Sequence, residues 1–306
     1  MKAFIHLSAS VETAIRKGAP VVALESTIIA HGMPFPENRD TARRLESVIR
    51  SEGATPATIA ILEGQLKVGI SDSELDRLAD PQQTVLKVSR RDLAACIARR
   101  QHGACTVAAT MQLAAAAGIA YFATGGIGGV HRGAELSMDI SADLQELSRT
   151  PVAVISAGAK AVLDIGRTLE YLETLGVPVV GYQTNEFPAF YSRSSGFPVD
   201  YRVDDPETLA RIFHIQQQAR LGGMLIANPI PPNQEMANQQ VQRAIEQAIV
   251  ESKAKGIRGK AITPFLLQRL NELTSGQALR SNIQLVLNNA RLAAKIAVAH
   301  HRIGNR

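Results

Sequence analysis

Short runs rich in β-branched and apolar residues recur along the chain, and each is separated from the next by a stretch of helical period. The runs are VVALEST (21–27), ATIAILEG (57–64), TVLKVS (84–89), IAYFATGG (119–126), PVAVISAG (151–158) and VPVVGYQT (177–184). Between them lie RDTARRLESVIRSEG, DLAACIARRQHG, TVAATMQLAAAAG, SADLQELSRT and AKAVLDIGRTLEYLETLG, several closing on glycine, the usual residue after a helix end. Parallel strands need crossover helices, and those helices cover both sheet faces. The alternation therefore predicts an α/β fold of three layers, with a largely parallel or mixed sheet covered by helices.

From about Phe187 to Pro232 the pattern loosens. FPAFYSRSSGFPVDY reads as ordered loop, and GGMLIANPIPP as a short strand entering a proline-rich turn. The remainder, NQQVQRAIEQAIVESKAKG and TPFLLQRLNELTSGQALRSNIQLVLNNARLAAKIAVAHH, is helical by period. No repeat or low-complexity linker interrupts it, so a single domain over 1–306 with a helical C-terminal region is expected.

Composition narrows the function classes. At 306 residues, 45% of them hydrophobic, the chain can bury a sizeable core. The formal charge is +5, but the basic residues come as scattered pairs such as Arg43-Arg44, Arg90-Arg91 and Arg99-Arg100 without interleaved aromatics. That favours a small anionic ligand over nucleic acid. Cys96 and Cys105 give neither a disulfide framework nor metal-ligand spacing, so two buried thiols in a reducing, cytoplasmic setting are expected. MKAFIHLSASVETAIRKG lacks the pattern of a signal peptide, and the longest apolar run, LAAAAGIAYFATGG, is broken by Gly118; no membrane span is expected.

Ligands in such folds bind beyond the carboxyl ends of the strands. Glu25 ends the first predicted strand, Lys87 lies in the third, Thr124 and a glycine-rich turn end the fourth, and Lys160 follows the fifth. Lys160 falls at the start of a predicted helix, where dipole and apolar surroundings disfavour an ammonium, so a neutral amine could attack a carbonyl; the alternative is an ordinary surface lysine. Ser141 and Asp143 fit a helix cap and first turn. Asp139 does not, and one or two carboxylates with waters and a substrate phosphate suffice for Mn²⁺ or Mg²⁺.

Gly125, Gly126, Gly128 and Gly129 match neither a dinucleotide fingerprint nor a Walker loop, leaving a turn that lets backbone approach a ligand. His131 either donates to that ligand or satisfies the loop. Glu25 suits a general acid if shielded from water, or else binds a backbone amide. Lys87 suits a phosphate contact, or is a half-exposed strand lysine.

Together these segments resemble the pseudouridine-5′-phosphate glycosidases, also called the indigoidine synthase A-like family. The likeness runs nearly end to end. It is carried by VVALESTIIAHGMPFPEN, LKVSRRDLA, TVAATMQLA, ATGGIGGVHRGAE, MDISADLQELSRTPVAVISAGAKAVLD, LGVPVVGYQTNEFPAFYSRSSGF, GGMLIANPIP, TPFLL and SNIQLVLNNA. The resemblance implies reversible cleavage of the C–C glycosidic bond of pseudouridine 5′-phosphate to ribose 5-phosphate and uracil, in pseudouridine catabolism. Such a C-glycosidase counts by convention among the carbon–oxygen lyases. A C-glycoside offers no heteroatom leaving group to protonate; opening the ribose and joining C1′ to a lysine as an iminium supplies an electron sink beside the bond to be broken.

By the same resemblance Lys160 is the nucleophile, Glu25 the acid/base and Asp139 the ligand of a divalent ion, Mn²⁺ or another such as Mg²⁺. Ser141, Ala142 and Asp143 line the substrate, with Asp143 helping to open the sugar. Lys87 contacts the phosphate side, Val107 lies in a substrate segment, and Thr124, His131 and Asn282 contact uracil or ribose. Asn288 and Asn289, farther along the same helix, compete with Asn282 for that last assignment. A homotrimer is implied. The chain departs from the family pattern at Cys105, where threonine is common, at Gln183 and Asn185, and at PNQEM after NPIP. Two other readings stand beside this one: an aldolase-like Schiff-base lyase acting on another sugar phosphate, and a non-catalytic metabolite-binding relative. Retention of Glu25, Asp139 and Lys160 argues against the second.

Overall fold

Strands covered on both faces must be largely apolar, and the central strands here are, with Thr58 and Ser156 as buried polar exceptions. The structure, a computed structural model, describes residues 4–257, 259 and 262–304. Its first third holds β1 (Ile5–Leu7), α1 (Ala9–Arg16), β2 (Val21–Leu24), α2 (Thr27–Ala30), α3 (Glu37–Ser51), β3 (Thr55–Leu62), β4 (Gln65–Val68), α4 (Asp72–Ala79), β5 (Val85–Val88) and α5 (Leu93–Ala98). Next come β6 (His102–Cys105), α6 (Val107–Ala117), β7 (Tyr121–Ala123), β8 (Val130–His131), α7 (Ala134–Ser137), α8 (Ala142–Arg149), β9 (Ala153–Ser156), β10 (Leu163–Asp164) and α9 (Ile165–Thr174). The last third holds β11 (Val179–Tyr182), β12 (Tyr201–Val203), α10 (Pro206–Gln218), β13 (Met224–Ala227), α11 (Asn238–Ala254), α12 (Ile262–Leu273) and α13 (Gln277–Gly304).

Eleven strands form one mixed sheet, with the main order β1-β4-β3-β2-β7-β9-β13-β11-β12. From β2 through β12 all neighbours are parallel, so the carboxyl ends of β2, β7, β9 and β13 lie side by side. β3 is long enough to serve two partners in turn. Its first half runs parallel to β2, while Ala60 and Ile61 pair antiparallel with β6, which carries β5. That branch sets β5, and with it Lys87, above the end of β2. Helices flank the sheet in a three-layer arrangement with a helical C-terminal region. α13 crosses β2, β7 and β9 with α3 and α10 beside it, and α6 with α8 forms the second helical layer. Leu285, Leu292 and Ile296 of α13 are buried in the core, each contributing about 1.5–3 kcal/mol.

Three local expectations change. Lys160 does not begin a helix: Ala161 and Val162 form a turn, Leu163 and Asp164 form β10 against β8, and α9 starts only at Ile165. The apolar spacing that reads as helix is spent on tertiary pairing, because Ala161, Val162 and Leu163 are buried beneath the Val130–His131 strand. The helix-dipole argument for this lysine therefore lapses. Within the loosened stretch, α10 is a helix of 13 residues, capped by Asp205 with Pro206 in its first turn. Finally β1, β4 and β6 add strands that no β-branched run announced.

Cys96 and Cys105 are free and buried, and burial pushes the Cys105 thiol well above its ordinary range. Among the described residues no helix is long and apolar enough to cross a membrane.

Candidate active site

The parallel strand ends open into a cleft of about 610 Å³, within the size range of small-molecule sites. Glu25 lies on its wall at the end of β2, 5% exposed. The hydroxyls of Thr27 and Thr124 donate to its two carboxylate oxygens, one each. Ser26 fixes the strand end beneath: its hydroxyl donates to the Ile59 carbonyl at 2.7 Å and accepts from the Cys105 amide at 2.8 Å. α2, which carries Thr27, is held in turn by Asn38, whose amide donates to the carbonyls of Ile29 and Ala79.

Two strand-end loops zip together beyond the sheet. Thr124 N–H donates to Ile155 O, Ala157 N–H to Gly125 O, Ile127 N–H to Gly158 O and Lys160 N–H to Ile127 O, all between 2.9 and 3.0 Å. Gly158 takes a left-handed backbone (φ 83°), which lets the chain turn before Lys160. Lys160 thus owes its place to the glycine-rich loop, and its side chain borders the cleft. Its amine makes no hydrogen bond or ion pair among the described residues.

Asp143 has a different task from the one its position suggests. Ser141 caps α8, accepting from the Asp143 amide at 3.2 Å, but the Asp143 carboxylate turns away from its own helix. One oxygen accepts from the Ala108 amide at 2.9 Å, in the first turn of α6, and the other from the Gly128 amide at 2.7 Å. A Cβ at Gly128 would lie 2.7 Å from that carboxylate, so glycine is needed there for close approach. Ser141, Ala142 and Asp143 all border the cleft. Val107 does not; it is buried behind the wall, and its neighbour Thr106 faces the cleft. Thr124 also stands behind the wall, reaching the site through Glu25.

His131, Lys87 and Asp139 also line the cleft, and the charges of Lys87, Asp139 and Lys160 all act on His131. The His131 ring lies 4.0 Å from the Asp139 carboxylate. Burial holds its pKa below the ordinary value, aided by the Lys87 and Lys160 charges and opposed by Asp139. Asp139 is the more open group, its side chain 42% exposed. Among the described residues no cluster of three or more His, Cys, Asp or Glu could cage a metal. A single carboxylate such as that of Asp139 still fits a hard divalent ion that keeps waters and binds substrate phosphate.

Asn282, on α13, is buried beside Gly125, and its carbonyl oxygen has no hydrogen-bond partner among the described residues. A buried unpaired acceptor calls for a donor from a ligand or a water. Asn288 bonds the Pro229 carbonyl at 3.2 Å and Asn289 bonds the carbonyls of Thr124 and Gly125, so of the three only Asn282 lines the cleft. No sequence motif marks His31. It borders the cleft at the end of α2, with Nε2 buried and without a partner among the described residues. Burial and then the Lys87 charge lower its pKa, while a hydrogen bond to the Leu86 backbone opposes them. The available signal was its place six residues after Glu25, across one short helix. Arg90 also borders the cleft and is paired with buried Glu146 at 2.9 Å.

Fold and site define an α/β enzyme with a polar cleft at the carboxyl ends of parallel strands. The family model for indigoidine synthase A like proteins matches residues 10–299. A pseudouridine-5′-phosphate glycosidase of Caldanaerobacter subterraneus subsp. tengcongensis is 55% identical over 304 residues, 99% of each chain. One of Hahella chejuensis is 55% identical over 302 residues, 98% of this chain and 100% of that one. The crystal structure of the prealnumycin C-glycosynthase AlnA in complex with ribulose 5-phosphate superposes with a TM-score of 0.90 at 38% identity, covering 99% of this chain and 98% of that one. The chain belongs to the indigoidine synthase A-like family of pseudouridine-5′-phosphate glycosidases and is an enzyme of that family.

Proposed function

We propose that the enzyme reversibly cleaves the C1′–C5 bond of pseudouridine 5′-phosphate through a covalent adduct on Lys160, giving ribose 5-phosphate and uracil in pseudouridine catabolism. The observation that carries this reading is one cleft bordered by a lysine amine with no hydrogen bond or ion pair among the described residues and by a buried glutamate that two threonine hydroxyls hold in place. Its family membership and its likeness to a C-glycosynthase bound to a sugar phosphate support it.

The chemistry balances with these groups. The C1′–O4′ bond breaks as the uracil ring pushes electrons toward C1′, O4′ takes a proton, and the Lys160 amine adds to C1′ and loses a proton. Glu25 then delivers a proton to C5 of uracil. The nitrogen lone pair forms a C1′–N double bond while the C1′–C5 electrons restore the C5–C6 double bond, and uracil departs. Water adds to the iminium, releasing ribose 5-phosphate and the free amine. In this reading Lys87 faces the phosphate, Asn282 accepts from a uracil N–H, and His131, Ser141 and Ala142 border the sugar. Asp143 keeps the Gly128 turn in place at the sugar; Val107 and Thr124 act from behind the wall. Asp139 would hold a divalent ion such as Mn²⁺, which supplies positive charge for the substrate's oxygens when bound. Two free thiols accord with a cytoplasmic setting.

The test is release of uracil from pseudouridine 5′-phosphate with Mn²⁺ present, followed by chromatography. Lys160→Ala should abolish both turnover and borohydride trapping of substrate on the protein. Trapping that survives the substitution would transfer the nucleophile's role to another lysine. Release of base from uridine 5′-phosphate at a comparable rate would mark an N-glycosidase instead.

A further inference from the structure

A pair of buried asparagines sits beneath the cleft without touching it. Asn289, in α13, is fully buried, and Asn228, just after β13, is 4% exposed. Asn289 Nδ2 donates to the Thr124 carbonyl at 2.8 Å and also faces the Gly125 carbonyl at 3.4 Å. Its Oδ1 accepts from Asn228 Nδ2 at 2.9 Å. Only one orientation of the Asn289 amide satisfies both sides, because two carbonyls can face only a donor and the Asn228 amino group only an acceptor. Asn228 is fixed as well, its backbone N–H donating to the Ser156 carbonyl at 2.8 Å.

The three strand ends joined this way are those of β7, β9 and β13. Thr124 carries the hydroxyl that donates to Glu25. Gly125 O accepts from Ala157, and Ser156 Oγ donates to Gly158 O at 3.0 Å, within the loop that ends in Lys160. An apolar residue in place of Asn289 could fill the space between helix and sheet but could not hold two carbonyls at a fixed height.

We propose that Asn289, oriented by Asn228, is a positioning residue: it sets the Thr124–Gly125 strand end so that Thr124 aims Glu25 at the uracil carbon while Lys160 faces C1′. This rests on the reaction proposed above. The pair acts through Thr124 on the proton-delivery step and leaves the substrate's own contacts intact.

The experiment compares wild type, Asn289→Ala, Thr124→Val and the double variant in the uracil-release assay, with borohydride trapping and hydrogen exchange of segments 121–131 and 153–163. A small misplacement of reacting groups costs up to about 100-fold in rate. For Asn289→Ala we expect kcat down about 10- to 100-fold, KM within about threefold, and undiminished borohydride trapping of ribose 5-phosphate, whose open-chain aldehyde forms the iminium on Lys160 without the slowed proton delivery. In the Thr124→Val background the same substitution should add less than about threefold. Should Asn289→Ala fail to fold, Asn228→Ala carries the same expectations with a smaller fall in kcat. Additive losses, a KM effect with kcat unchanged, wild-type rates, or loss of the fold in both variants would overturn the proposal. If the wild-type enzyme releases no uracil, the reaction is wrong, and the clamp is judged by exchange alone. Faster exchange confined to the two segments supports it, and unchanged or global exchange overturns it.

Discussion

Asp143→Asn keeps the shape of the side chain and removes one acceptor. In the native protein both carboxylate oxygens accept backbone amides, Ala108 at 2.9 Å and Gly128 at 2.7 Å, and the residue is only 5% exposed. An asparagine can accept from one of these amides, and its amino group must then confront the other N–H, donor against donor. Losing one charge-assisted hydrogen bond costs about 1.5–3 kcal/mol, and leaving a buried donor unpaired about 1–3 kcal/mol. The negative charge at the start of α6 is worth a further 0.3–1 kcal/mol or so. These terms overlap, because one lost bond is also one unpaired donor, so the expected destabilisation is about 3 kcal/mol. Urea unfolding followed by circular dichroism measures it; with a slope of roughly 3 kcal/mol/M, the midpoint should fall by about 1 M. A midpoint within about 0.2 M of wild type, at unchanged slope, would refute the reasoning and show the two amides to be satisfied by water instead.

Three further outcomes follow from the site. His31→Ala should raise KM for the phosphorylated substrate by about tenfold, one hydrogen bond's worth, with kcat changed less; an unchanged KM would remove His31 from the ligand's reach. Burial lowers the pKa values of His31, His131 and His300, so each is held neutral in the fold. Their contribution to stability is fully present above the unfolded value of 6.5 and is lost as pH falls through the lowered folded values, so melting temperature should be flat from pH 7 to 8 and drop below about 6.5. A rise in melting temperature on acidification to pH 5.5 would contradict that sign. Chelation should abolish turnover yet shift the melting temperature little, because a single half-exposed carboxylate contributes little folding energy; Asp139→Asn should need more Mn²⁺ for half-maximal rate, and an unaltered requirement would place the ion elsewhere.

The core strands were legible because burial on both faces leaves short, mostly apolar runs, as in VVAL, AVIS and MLIA. The antiparallel additions were not. QLKV carries alternating polar residues, and HGAC follows directly on a helical run, so neither stands out from its surroundings. Lys160 shows the limit from the other side: Ala161, Val162 and Leu163 have helical spacing, yet pairing of Leu163 with His131 overrides local preference. Asp164, which caps α9 by accepting from the Arg167 amide at 3.0 Å, was the local signal that the helix starts later. Which polar residues share a cleft followed from the strand-end rule; which of them are already satisfied did not. The carboxylate of Asp143 and the amide of Asn289 are both consumed by backbone groups from distant segments, and nothing in their neighbouring residues records that.

The C-terminal helix binds these levels together. Asn282 and Asn289 are seven residues apart, two turns and about 10 Å along one face of α13. The upper residue offers an unpaired acceptor to the cleft, and the lower one grips the strand ends that form the cleft's floor. Between them Leu285 and Val286, and beyond them Leu292 and Ile296, anchor the helix in the sheet-facing core. A helix whose polar residues interrupt an otherwise apolar face is destabilised at each of them unless all their groups are used. Asn289 meets that condition within the protein alone, whereas the Asn282 carbonyl oxygen finds no partner among the described residues and is left for a ligand or water. The same face therefore holds a fixed clamp and an open reading position, separated by a rigid spacer, and a shift of the helix would move both by the same amount. On the proposed reading, in which Asn282 accepts from the base and Glu25 delivers the proton, the two tasks are coupled through the packing of α13, so substitutions at Leu285 or Leu292 should lower kcat and raise KM together, whereas Asn289→Ala separates the two.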